Sequence, residues 1–138
     1  KTTEDKASSI DSLKYDSYNN EVAMEWNAIA YSIANDHDQF YSFIGVRALA
    51  MSHLAMHDAL NSINGRYYTY AYEAKTPNAD PIAAAAQASY EVLLKAYPGK
   101  KDTLNNLISL WLLKVLDGDA KSEGIALGKA AAAAIVFR

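Results

Sequence analysis

Residues 46–67 constrain this chain more than any other stretch. They read as one long helix with almost no polar face, closed by Gly65. A helix that is apolar nearly all round has to be enclosed by other helices. The polar residues it does carry, Arg47, His53, His57, Asp58 and Asn61, must then be satisfied inside the protein. Such a segment demands a bundle around it, so the expected fold is all-α.

The flanking sequence supplies the other helices. Asn19 or Asn20 can cap a first helix, on which Val22, Trp26, Ile29 and Ile33 make one apolar stripe before Asn35-Asp36-His37-Asp38 breaks it. The second helix spans residues 42–64, with Gly65 as a left-handed stop. An aromatic segment, residues 66–72, has weak strand character, and Pro77, Asn78 and Asp80 mark a loop. Asp80 as cap with Pro81 in the first turn opens a third helix over residues 82–97, ended by Pro98-Gly99. A fourth starts at Asp102-Thr103, carries Leu104, Leu107, Ile108, Trp111 and Val115 at helical spacing, and stops at Asp117-Gly118. A fifth begins at Asp119 or Ser122 and runs to the last residue. The organisation is therefore a flexible lead-in over residues 1–18 and a bundle of about five helices over residues 19–138. Ala83 to Ala86, Gly124, Gly128 and Ala130 to Ala134 put small residues at four-residue spacing, which lets helices approach closely.

Neither end carries its own punctuation. The chain starts at Lys1 without Met, as a processed protein would, and a removed export signal would leave no trace. The fifth helix meets no Gly or Pro, so Arg138 is expected to be a cut or the edge of a fragment, and the bundle to be the incomplete N-terminal part of a larger domain.

Composition narrows the function classes. A net charge of -3, with no Lys/Arg cluster, gives no electrostatic case for nucleic acid. The absence of Cys excludes disulfides, Cys-ligated zinc, iron–sulfur clusters and thiol catalysis within these residues. No uninterrupted apolar run reaches the roughly 18 residues of a membrane span.

Few residues could carry chemistry. His53 and His57 lie one turn apart and share a helical face with Val46, Leu49, Ala50 and Leu60. Two such imidazoles can chelate a metal if Asp58 or another acid completes the site. The plainer reading is a pair of hydrogen-bonded core histidines. Arg47 and Asp58 lie about 16 Å apart along the helix, so each should meet a partner from another helix, as a structural ion pair rather than an anion site. Glu25 could act as an acid or base, but pairing with Arg47 is the simpler role. The tyrosines of residues 67–72 either line a ligand groove or pack a long loop over the bundle. No Gly-rich phosphate loop, nucleophile elbow or HExxH motif is present. No catalytic, cofactor-binding or metal residue is assigned.

Several segments, in order, carry a family resemblance. Glu25-Trp26-Asn27, the helix of residues 46–64 with Gly65-Arg66-Tyr67 after it, Asp80-Pro81 followed by Ala83 to Ala86, and Ile125 to Ile135 resemble the N-terminal helical half of the vanadium-dependent haloperoxidases. These belong with the type 2 phosphatidic acid phosphatases. The resemblance covers residues 20–138. It implies an all-α bundle whose complete form holds vanadate or phosphate at one end, with Lys and Arg neutralising the oxyanion and two histidines serving as ligand and as acid/base. The activity implied is peroxide-driven halide oxidation, or phosphate ester hydrolysis in the phosphatase relatives. It also implies export, periplasmic or secreted.

The three motifs that build that site are missing: a Lys followed by Arg-Pro, a Pro-Ser-Gly-His, and a Ser-Arg ending in a His. The prolines are Pro77, Pro81 and Pro98, and none precedes Ser-Gly-His; Arg47 and Arg66 are not followed by Pro. No catalytic role therefore passes to His53, His57 or Arg47, which are read as scaffold. The expected partner is a C-terminal catalytic half, or a second copy covering the same apolar faces. The rival reading is a self-contained small helical binding or interaction domain without enzymatic activity.

Overall fold

The computed structural model describes residues 19–137. The lead-in expected over residues 1–18 and the end of the chain at Arg138 lie outside them. The fold is an all-α bundle: α1 Glu21–Asp38, α2 Phe43–Ile63, α3 Pro81–Ala96, a 3₁₀ turn at Pro98–Lys100, α4 Lys101–Leu113 and α5 Asp119–Val136. No strand occurs among the described residues, so residues 66–72 form an irregular segment instead of the weak strand their aromatic content suggested. No helix of the described residues is long and apolar enough to cross a membrane.

Helix α3 is the centre, touching α1, α2, α4 and α5. Its start follows from sequence chemistry: the Asp80 carboxylate accepts the Ala83 N–H at 2.8 Å, and Pro81 occupies the first turn, where no donor is missed. Every residue from Ala83 to Ser89 is buried. Small side chains are what make that possible, because neighbours close in on both sides. Gly124 and Gly128 of α5 lie against α3, and a Cβ built on Gly128 would stand 2.6 Å from the Ala84 carbonyl oxygen and 2.8 Å from the Ala88 nitrogen. On the side of α2, the Ser52 and Ser89 hydroxyls share a 2.6 Å hydrogen bond in the core. Larger groups fill the remaining volume: Trp26, Val92, Leu93 and Leu104 are fully buried, and Trp26 meets Tyr90 edge to face.

Two boundaries differ from the sequence expectation for a local reason. Asn35 to Asp38 do not break α1; the helix runs through them and ends at Gln39 and Phe40, both left-handed (φ 54° and 63°). These are costly conformations for side-chain-bearing residues. The Asp38 carboxylate holds them, accepting from the Phe40 N–H at 3.1 Å, the Ser42 N–H at 3.2 Å and the Ser42 hydroxyl. Ser42 in turn caps α2 by accepting from Ile44 N–H. At the far end of α2, Gly65 is not the left-handed stop: Asn64 ends the helix in extended conformation (φ -132°, ψ 90°). Helix α4 likewise stops at Leu113, short of Asp117-Gly118.

The α1–α2 turn gives a pH-dependent prediction. The Ser42 hydroxyl, more than any other group, holds the Asp38 carboxyl below its ordinary range. A depressed folded pKa means the stabilisation is full above the unfolded value of about 3.9 and fades as pH falls through the folded one. Below neutrality, the wild-type chain should therefore lose stability in acid more steeply than Asp38→Asn. Parallel acid titrations followed by circular dichroism would show overlapping curves if this turn contributes nothing.

Candidate functional site

The C-terminal half of α2 presents four polar side chains on one side: His57, Asp58, Asn61 and Ser62. All four are spent on the chain that follows. Asp58 is fully buried, and its carboxylate accepts three main-chain N–H groups, from Tyr70 at 2.8 Å, Ala71 at 2.7 Å and Tyr72 at 2.9 Å. Asn61 accepts from the N–H of Arg66 and Tyr67 at 3.1 and 2.9 Å and donates to the Tyr67 carbonyl. His57 Nε2 donates to the Tyr68 carbonyl at 2.9 Å, which places a proton on that nitrogen. The Ser62 hydroxyl donates to the Asp58 carbonyl and accepts from Ala74 N–H. Residues 66–76 are thus strapped back along α2, with Thr76 N–H closing the run on the Ser62 carbonyl.

This overturns part of the sequence expectation. Asp58 was to meet a side chain from another helix; it meets the main chain of its own loop. Arg47 was to be buried and paired; it is exposed, and among the described residues no ion pair joins it to Glu25, which is exposed too. His53 is also on the surface, where Nε2 meets the Asn27 carboxamide oxygen of α1 at 2.7 Å. No cluster of three metal-ligating side chains occurs among the described residues, and His53 and His57 are engaged separately. Of the tyrosines, Tyr72 packs against the core and helps seat the loop, while Tyr67, Tyr68 and Tyr70 are exposed, Tyr68 at 98%, and main-chain bonds hold the segment. Sequence reading missed the strap. Its visible signal was the i, i+1, i+4, i+5 spacing of His57, Asp58, Asn61 and Ser62, which places four polar groups on one side of an otherwise apolar helix just before a loop.

Beside the strap lies a cavity of about 490 Å³. Its walls come from the start of α1 (Val22, Ala23), the end of α2 (Leu60, Ile63) and the start of α3 (Pro81, Ile82). Its polar lining is His57, Asn61, Arg66 and Tyr67 together with Asn19, Asn20 and Asn64. The volume falls in the range of small-ligand sites. Arg47 and Arg66 do not converge on one anion: Arg47 lies near the start of α2 and Arg66 beyond its end, on the order of 25 Å away along the axis. An oxyanion of high charge needs several convergent cations.

No family model, curated protein or solved structure matches the chain.

Proposed function

We propose that these residues are the scaffold portion of a vanadate-dependent haloperoxidase or a related acid phosphatase, with the oxyanion-binding residues supplied by a catalytic half outside them. The reading rests on the resemblance of residues 46–67. The observation that supports it is the use of that helix: Asp58, Asn61 and Ser62, buried near its end, are engaged in holding residues 66–76, as a scaffold element's would be. Apolar side chains stand exposed on α1 and α2. Met24 and Tyr31 on α1, and Phe43, Ile44 and Val46 on α2, are exposed, Phe43 at 89%. Solvent contact with such side chains is unfavourable, and a packed catalytic half would remove it. Export of the complete protein follows from the same resemblance.

The test is the parent reading frame beyond Arg138, joined to an activity measurement. Continuation into Lys…Arg-Pro, Pro-Ser-Gly-His and Ser-Arg…His, with vanadate-dependent bromide oxidation by the longer chain and none by these residues alone, is the expected result. A stop codon after Arg138, or halide oxidation by these residues alone, sinks the scaffold reading. The stop codon would leave the small helical binding domain, which the cavity beside the strap favours.

A further inference from the structure

We infer that the cavity between the starts of α1 and α3 and the end of α2 binds a small organic anion: one carboxylate on a flat apolar body. This does not depend on the scaffold reading.

Charge selects the head group. Arg66 is the only Lys, Arg, Asp or Glu among the described residues lining the cavity. Its guanidinium is exposed and has no acidic partner among the described residues, in a chain whose net charge is -3. A guanidinium without an acidic partner among the described residues, beside a largely apolar recess, offers two parallel donors to one carboxylate. The main chain at Arg66 is anchored beside the cavity, its N–H held by the Asn61 side chain at 3.1 Å and the Asn64 carbonyl at 2.9 Å.

Shape and polarity select the body. Val22, Leu60, Ile63 and Ile82 make an aliphatic part of the wall. The Tyr67 ring, 72% exposed and 6.2 Å from the His57 ring, forms an aromatic rim. A ring would cover Leu60 and Ile82 and sit against Tyr67, gaining apolar burial that a bare inorganic ion cannot. A single cation also matches one negative charge better than the two or three of phosphate or vanadate.

The experiment is a titration of the full 138-residue chain with benzoate, followed by amide NMR shifts. Benzyl alcohol and inorganic phosphate are run as paired probes. The expected result is saturable shifts confined to residues 20–23, 57–67 and 81–82. Benzyl alcohol should bind about tenfold more weakly, because the charge-assisted hydrogen bonds are lost. Arg66→Gln should weaken benzoate by a similar factor without changing the fold, as Arg66 is exposed. Leu60→Asp, which puts a like charge at the cavity wall, should abolish binding; Leu60→Ala, which keeps the site neutral, should retain it. Absence of saturation by benzoate overturns the proposal, as it would if the chain's own residues fill the space. Equal binding of phosphate overturns the apolar half of the argument, and an unchanged Arg66→Gln affinity overturns the ionic half.

Discussion

Asp58→Ala releases residues 66–76 from α2 and lowers the unfolding free energy by about 3–5 kcal/mol, a large share of the roughly 5–15 kcal/mol available to a domain. The reason is the number of groups left behind. The carboxylate serves three N–H donors at 2.7–2.9 Å from a fully buried position, and alanine serves none. Each abandoned donor must find water or stay unsatisfied, and either requires the strap to move. Asp58→Asn separates shape from acceptor count. One oxygen can still accept, but the amide nitrogen then faces an N–H head on, so the variant should fall between wild type and alanine. Hydrogen exchange at Tyr70, Ala71 and Tyr72, with urea unfolding of the three proteins, measures both effects. Amide protection at these positions that survives Asp58→Ala would mean that the loop is held by something else. Chymotrypsin supplies a coarse readout: cleavage within residues 67–72 should accelerate in the alanine variant long before the bundle is cut, because Tyr67, Tyr68 and Tyr70 already face solvent.

The helices were legible in the sequence where side chains announce them, and the strap was not, for the converse reason. Asp80-Pro81 names its own helix start, and the carboxylate does cap Ala83. Of the apolar stripe of α1, Val22, Trp26 and Ile33 are buried and Ile29 is partly buried against the core. Asp58 could not be paired from sequence, since its partners are main-chain N–H groups that every non-proline residue carries. The same blindness produced the Gly65 error. Glycine is the usual left-handed stop, yet here the Asn61 side chain captures the N–H groups of Arg66 and Tyr67 and fixes the exit without a left-handed residue. The left-handed residues fell instead at Gln39 and Phe40, where the Asp38 carboxylate compensates the strain. Helix α2 shows the remaining gap. Its composition demanded enclosure on all sides, but Phe43, Ile44 and Val46 face solvent while Ala48, Ala55, Met56 and Ala59 face the core. Hydropathy says how much apolar surface a helix has, and not which part of the protein covers it. For the candidate site, Arg66 drew notice in the sequence as part of Gly65-Arg66-Tyr67 and as an arginine not followed by Pro, never as a ligand contact. Its place at the cavity follows from the strap, so neither could be found without the other.

Gly128→Ala carries the second large effect, and its sign is decided by two opposing terms. Alanine is the better helix former, worth about 1 kcal/mol over glycine in a helix interior. Against this, the new methyl would stand 2.6 Å from the Ala84 carbonyl oxygen, 2.7 Å from Gln87 Cβ and 2.8 Å from the Ala88 nitrogen. Two of these three are main-chain atoms of α3, which cannot rotate out of the way as a side chain would. Helix α3 cannot retreat either, because α2 packs against it and the Ser52–Ser89 hydroxyl pair ties the two together in the core. Relief must come from moving α5 outward, which loosens contacts along Leu127, Ala131 and Ile135. Overpacking of this kind costs about 1–3 kcal/mol and occasionally more, and three contacts under 3 Å put it at the upper end, so after the propensity gain of about 1 kcal/mol the net effect should be a loss of up to about 2 kcal/mol. Gly124→Ala faces the same geometry, with the methyl 2.7 Å from the Asp80 oxygen at the α3 cap, and should behave alike. Ala126→Gly on the exposed side of α5 is the companion measurement: it should lose the propensity term alone, about 1 kcal/mol. Urea unfolding of these variants separates the terms. If Gly128→Ala stabilises the chain instead, propensity outweighs contact, and α3 and α5 do not meet as closely as the described geometry requires. If it destabilises by more than Ala126→Gly, the tight α3–α5 contact accounts for the placement of glycines four residues apart on α5.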